Sequence, residues 1–239
     1  MAKETIIREN PIITIVNLSK YITSDSKKKE TILRKIKFSD TPLYARYSGP
    51  KSAINKYLKD KERNIAIFDE FIKKEEEKRP EGIYKVSDKT CSLETLKILK
   101  SKSQVFFVSY ANDYSKKGLK KQFTHLYSEG VDVSLSPDFA IYDNKSNKLT
   151  GFVKINFAKD KNSRLTYAQG HLITGLIKDH LEEQFNLKLD RRMCIALDVF
   201  AEKVILAPED MTWAKDKPKL EKAFKEIASV WPYIQQKVA

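Results

Sequence analysis

Asp138 and Lys154 are the residues whose types and spacing could do chemistry together. They lie on two strand-like segments, SPDFAIY and LTGFVKINF, joined by the turn-rich stretch DNKSNK. If Asn144 and Lys148 close a three-residue loop, antiparallel pairing matches positions whose numbers add to a constant, and that constant sets Asp138 opposite Lys154. A carboxylate and an ammonium on one face of a hairpin suit a divalent cation held beside a phosphate: the acid supplies an oxygen ligand, the lysine a charge near the attacked group. A plain surface ion pair has the same pattern, because Asp is a common turn residue before a strand and Lys a common cross-strand partner.

The elements that must position this pair follow from hydrophobic periodicity. SLETLKILK predicts a short helix starting at Ser92, and the continuous apolar run QVFFVSYA predicts a buried strand. KKGLKKQFTHLYSEG reads as helix or loop, and VDVSLSPDFAIYD and KLTGFVKINFA as the hairpin. TYAQGHLITGLIKDHLEEQFN is a long amphipathic helix and MCIALDVFAEKVILA one strand or a second hairpin. PKLEKAFKEIASVWPYI is a final helix with Pro218 near its start and Pro232 near its end. This order implies an α+β (mixed α/β) protein with a central mixed sheet flanked by helices.

The N-terminal third reads as short helices with little strand pattern. NLSKYI is followed by SDSKKKETILRKIK, with Ser24 or Ser26 as N-cap and Ile32, Leu33 and Ile36 as its apolar stripe. One or two amphipathic helices fill SAINKYLKDKERNIAIFDEFIKKEEEKR, through Ile54, Tyr57, Leu58, Ile65, Ile67, Phe68, Phe71 and Ile72. Pro80 and Gly82 end that run, which suggests a division into a helical region 1–82 and an α/β core 83–239.

The 239 residues include 45 Lys and Arg against 32 Asp and Glu, a formal charge of +13, as a polyanion-binding protein would show. A Lys-rich solvated surface gives the same sum. Lys27, Lys28, Lys29, Arg34, Lys35 and Lys37 form one basic helix face. Arg46, between Tyr44 and Tyr47, and Lys120 and Lys121, near Tyr110, Tyr114 and Tyr127, interleave cations with aromatics that could stack bases. Nucleic acid, DNA in the first instance, is the expected partner. The apolar stripe of the last helix, ending at Trp231, could also serve a homodimer.

Several classes lack their central motif. There is no phosphate loop ending in Lys and Ser or Thr, no GxSxG elbow and no dinucleotide fingerprint. Cys91 and Cys194 are too few and too far apart for a disulfide framework or thiolate zinc cluster, and His125, His171 and His180 form no ligand pattern. No window approaches the roughly 20 apolar residues of a membrane span and no secretory leader is legible, so a cytoplasmic location is expected.

An acid at a strand start followed by a hairpin ending in Lys, here Pro137 and Asp138 then Phe152, Val153 and Lys154, resembles the PD-(D/E)xK nuclease superfamily. The resemblance spans roughly residues 104 to 210 and implies a restriction-endonuclease-like core with an Mg2+ or Mn2+ cofactor. It gives Asp138 a metal-binding role and Lys154 the role of orienting the attacking water. The second acid of the motif falls on Phe152, which cannot bind Mg2+. Either that acid has migrated, with Glu129, Asp132 and Asp160 as candidates, or catalysis is lost and the fold serves as a binding or protein-interaction module. Glu129 matches an additional acid that some members carry on a helix before the hairpin, and Gln169 a polar residue that some carry at the start of the long helix.

Overall fold

The computed structural model describes residues 5–40, 46–107, 114–117 and 123–236. The N-terminal elements are β1 (Thr5–Ile7), β2 (Ile12–Thr14), α1 (Ile15–Ile22), α2 (Ser26–Lys37), β3 (Phe38–Asp40), α3 (Ser48–Lys59) and α4 (Ala66–Glu77). There follow α5 (Ile83–Phe106), β4 (Tyr114–Lys117), β5 (His125–Ser128), β6 (Val131–Ser134), β7 (Phe139–Asp143) and β8 (Leu149–Asn156). The chain continues through α6 (Tyr167–Phe185), β9 (Cys194–Asp198), β10 (Lys203–Leu206) and α7 (Asp210–Val230).

The largest sheet has the order β10-β9-β8-β7-β4. β4, β7 and β8 form an antiparallel meander, α6 carries the chain across, β9 runs parallel to β8, and β10 returns antiparallel to β9. All five residues of β9 are buried, as expected of a central strand covered on both faces. On one face, Ala140, Phe152, Cys194 and Ala196 join a core with Leu18, Ile173, Ile177 and Phe224 of α1, α6 and α7. On the other, Phe139, Ile141, Val153, Ile155, Ile195 and Leu197 pack with Ile54, Tyr57, Phe68, Leu96 and Leu99 of α3, α4 and α5. Burial of each such large apolar side chain contributes about 1.5–3 kcal/mol. Helices from both sides of position 82 share this second core.

A smaller sheet, β2-β6-β5, pairs the N-terminal strand β2 in parallel with β6, Ile12 opposite Asp132. β5 and β6 form a hairpin through Glu129 and Gly130, both at positive φ (51 and 77°), the conformation that two-residue hairpin loops favour. β1 pairs with β3, Ile7 opposite Phe38.

The α+β class and the mixed sheet between helices agree with the sequence, and several local expectations change. The N-terminal region also supplies three strands, each three residues long and too short to show a period. Gln104, Val105 and Phe106 are the last turn of a 24-residue helix that starts at Ile83, with Ser92 buried inside it; the rest of the expected strand, 108–111, lies outside the described residues. An apolar run alone does not separate a buried strand from a buried helix end. VDVSLSPDFAIYD divides into β6 and β7 in two different sheets, broken at Ser136, whose φ is +31°, and at Pro137, which has no N–H to donate. Pro218 lies inside α7, which begins at Asp210. Among the described residues no helix is long and apolar enough to cross a membrane.

Candidate functional site

The hairpin brings Asp138 and Lys154 together by a route other than the expected loop. The pairs Phe139–Val153, Ala140–Phe152 and Ile141–Gly151 keep the expected sum, but Tyr142 faces Leu149. The turn is closed by Asp143, whose N–H donates to the Lys148 carbonyl at 3.0 Å, leaving four residues in the loop instead of three. Thr150 is the extra residue of a bulge that restores the register, and its hydroxyl donates to the Ile141 carbonyl at 3.0 Å.

Asp138 is anchored on every side. Its N–H donates to the Val153 carbonyl at 2.8 Å, and its Oδ2 accepts from the Ile155 N–H at 2.8 Å and lies 3.7 Å from Lys154 Nζ. Its Oδ1 lies 3.2 Å from Nζ of Lys51, on the first turn of α3. Lys154 Nζ also donates to the Ser136 carbonyl at 2.7 Å. The side chains of Asp138 and Lys154 are 11% and 18% exposed, that of Lys51 50%, so Lys51 is the solvent-side member of the trio. Burial pushes the Lys154 ammonium below the usual lysine range; Asp138 opposes this and Lys51 adds to it.

The three charges border a cavity of about 460 Å³, also lined by Ser52, Asn55 and the segment Ser136, Pro137 and Phe139. Asp138 is the one carboxylate among those lining residues. A hard dication takes oxygen ligands and is repelled by ammonium groups. This cavity offers a dication one carboxylate whose two oxygens are already engaged, and it offers a phosphate two ammonium groups. The lining thus carries two ammonium groups against one carboxylate, a net positive charge.

The other acids singled out in the sequence are held elsewhere. Phe152, at the motif's second-acid position, is fully buried in the core with α6. Glu129 sits at the tip of the β5–β6 turn, not on a helix, 3.9 Å from Lys225 of α7. Asp132 on β6 pairs with His125 at 2.9 Å, and Asp160 caps the helical turn Lys161–Ser163 by accepting from the Asn162 N–H. None of them lines the Asp138 cavity. Among the described residues no group of three or more His, Cys, Asp or Glu is placed to hold a metal ion.

The basic face of α2 divides in two. Lys29 pairs with Glu226 of α7 at 2.8 Å, Arg34 pairs with Glu30 and donates to the Gln235 carbonyl at 3.1 Å, and Lys37 donates to the Trp231 carbonyl at 2.8 Å. Lys27, Lys28 and Lys35 border a second, separate cavity. Arg46 is exposed just before α3, while Lys120 and Lys121 lie outside the described residues. Tyr47 stacks on Phe157 with ring centroids 5.1 Å apart, and Tyr127 is exposed on β5.

Two important residues have only a faint signal in the sequence. Lys51 lies far upstream of Asp138; its only signal is that Lys51, Ser52 and Asn55 occupy the polar side of a helix whose apolar stripe is Ile54, Tyr57 and Leu58. Asp198 is an acid inside the apolar run CIALDVF. It is fully buried and accepts from the Leu165 N–H, the Asn156 amide and the Ala201 N–H at 2.6–2.9 Å, tying β8, β9 and the approach to α6 together.

Comparison with protein-family models, curated proteins and solved structures gave no match.

Proposed function

We propose that this protein is a nucleic-acid-binding module on a divergent restriction-endonuclease-like core, with its hairpin pocket turned from metal binding to phosphate contact. The observation that carries this reading is the electrostatics of the pocket: one carboxylate stands between two ammonium groups, and the position two before Lys154 is taken by the buried ring of Phe152. The scaffold part of the reading draws support from the topology, an antiparallel meander followed by a crossover helix and a strand parallel to the last meander strand. In this arrangement Asp138 is a positioning residue. It fixes Lys154 and draws Lys51 to the same side, so that both cations face a phosphate oxygen entering the cavity. The formal charge of +13 supplies long-range attraction to DNA.

The test is binding of the full chain to labelled DNA as a function of salt, beside a plasmid-cleavage assay with Mg2+ or Mn2+. We expect affinity to fall steeply as salt rises and no nicking above background. A flat salt response overturns nucleic-acid contact. The second reading, an Mg2+-dependent phosphodiesterase, is favoured by the direct Asp138–Lys154 contact, and it requires divalent-dependent cleavage that disappears in Asp138→Ala.

A further inference from the structure

The largest of the described basic cavities lies outside the hairpin pocket. It measures about 810 Å³ and lies between α1, α2 and the segment entering α6, bordered by Lys20, Lys27, Lys28, Lys35, Asn162 and Gln169, with hydroxyls from Thr23, Ser24, Thr31 and Ser163. No Asp or Glu is among its lining residues. Gln169 donates to the Thr23 hydroxyl at 3.0 Å, which fastens the α6 end of the cleft to α1.

Lys20 is the informative member. Half-buried in the cleft wall, its ammonium makes no hydrogen bond or ion pair among the described residues. Burial lowers its ammonium below the usual lysine range, against the distant pull of Asp160 and Asp198. Neither acid touches the ammonium: Asp160, at the border of the cleft, accepts from Asn162 and Ser163, and the buried Asp198 from Asn156, Leu165 and Ala201. A desolvated ammonium with no carboxylate in contact is unfavourable unless an anion completes it. Lys27 and Lys35, both exposed, likewise make no ion pair among the described residues, so the cleft holds several uncommitted cations.

The cleft and the hairpin pocket are separate cavities that β8 links. Asn156 stands two residues beyond Lys154 on the same face of the strand, about 7 Å further at the usual rise, and its amide donates to the carbonyl of Ser163, which lines the cleft. None of the cleft's lining residues is aromatic, so its contacts suit phosphates and not stacked bases.

We infer that the cleft between α1, α2 and the start of α6 is a second phosphate-binding site, which holds the backbone of the same nucleic-acid strand whose neighbouring phosphate sits at Lys51 and Lys154. This rests on the proposed nucleic-acid reading and assigns it a path: one strand crosses from the hairpin pocket to the cleft without sequence preference.

The experiment compares two triple variants of the full chain, each losing three positive charges: Lys20→Gln, Lys27→Gln and Lys35→Gln in the cleft, and Lys59→Gln, Lys61→Gln and Lys73→Gln on exposed positions of α3, α4 and their connection. Fluorescence anisotropy with a labelled single-stranded 20-mer is followed over a salt series, and thermal unfolding confirms that both variants fold. We expect the cleft variant to bind at least about tenfold more weakly, with its log–log salt slope reduced by about 2, since each neutralised phosphate of a single strand contributes about 0.7. The control variant should stay within about threefold of the unmodified chain. Equal losses in the two variants overturn the cleft while leaving nucleic-acid binding standing. A flat salt response of the unmodified chain overturns both. In a parallel arm, saturable binding of pyrophosphate that is lost in the cleft variant, without any strand binding, assigns the cleft to a small anion and overturns the strand path.

Discussion

At the scale of single residues, Asp138 is the keystone of the hairpin pocket, because it serves the Ile155 N–H, Lys154 and Lys51 at once. Asp138→Ala leaves a buried N–H unpaired and a mostly buried ammonium without its counter-charge, and should cost about 2–4 kcal/mol in denaturant unfolding. Adding Lys154→Met should recover part of that loss, since the unpaired ammonium is then gone; a fully additive double variant would contradict the coupling. Lys154 should titrate below the ordinary lysine range in an NMR titration of its side chain, and Asp138→Asn should lower it further, because Asp138 is the group that raises it. The linked stability has a definite sign. With the folded value below the unfolded one, the unfolded chain holds more protons between the two, so this contribution rises with pH across that window, and Lys154→Met should flatten it. Asp138 and Lys154 were legible in sequence because a hairpin couples neighbours in the chain. Lys51 was not, because its approach depends on how α3 docks, and docking leaves no local pattern.

At the scale of elements, the hairpin shows how a correct pairing can follow from an incorrect turn. A loop one residue longer than expected shifts the register, and the bulge at Thr150 shifts it back. The next residue is constrained more tightly: a Cβ on Gly151 would lie 2.2 Å from the Met193 carbonyl oxygen, a backbone atom with little freedom to yield. Gly151→Ala should therefore lower stability by about 3 kcal/mol or more, read from the unfolding midpoint. Placing an acid two residues before Lys154, by Phe152→Glu, should fail for a related reason: the carboxylate would enter an apolar core beneath α6, and loss of the folded population is expected in place of gained cleavage. Helices with strong caps and long stripes were readable, α6 with Thr166 and Gln169 as a capping box and α2 with Asp25 as its cap, one residue from either expected serine. The three-residue strands β1, β2 and β3 were not readable, because their pairing partners, and not their own sequence, make them strands.

At the scale of the whole molecule, composition showed the excess of positive charge but not its distribution. Part of the α2 stripe is neutralised, Lys29 by Glu226 of α7 and Arg34 by Glu30, and Lys28 lies 4.0 Å from Asp25, while Lys27 and Lys35 remain available to the cleft. Substituting Lys29 should thus cost fold stability through its lost pairing with Glu226 and little nucleic-acid affinity, and substituting Lys35 the reverse, which parallel melting and anisotropy measurements would separate. The pairing of β2 with β6 has a consequence for how this chain is made. Because Ile12 must meet Asp132, a segment completed early in translation waits for one made much later. Until then the apolar side of α1 has neither that sheet nor α6 to cover it, so ribosome-bound intermediates should be protease-sensitive near their beginning and sheltered by chaperones until the second half of the polypeptide emerges.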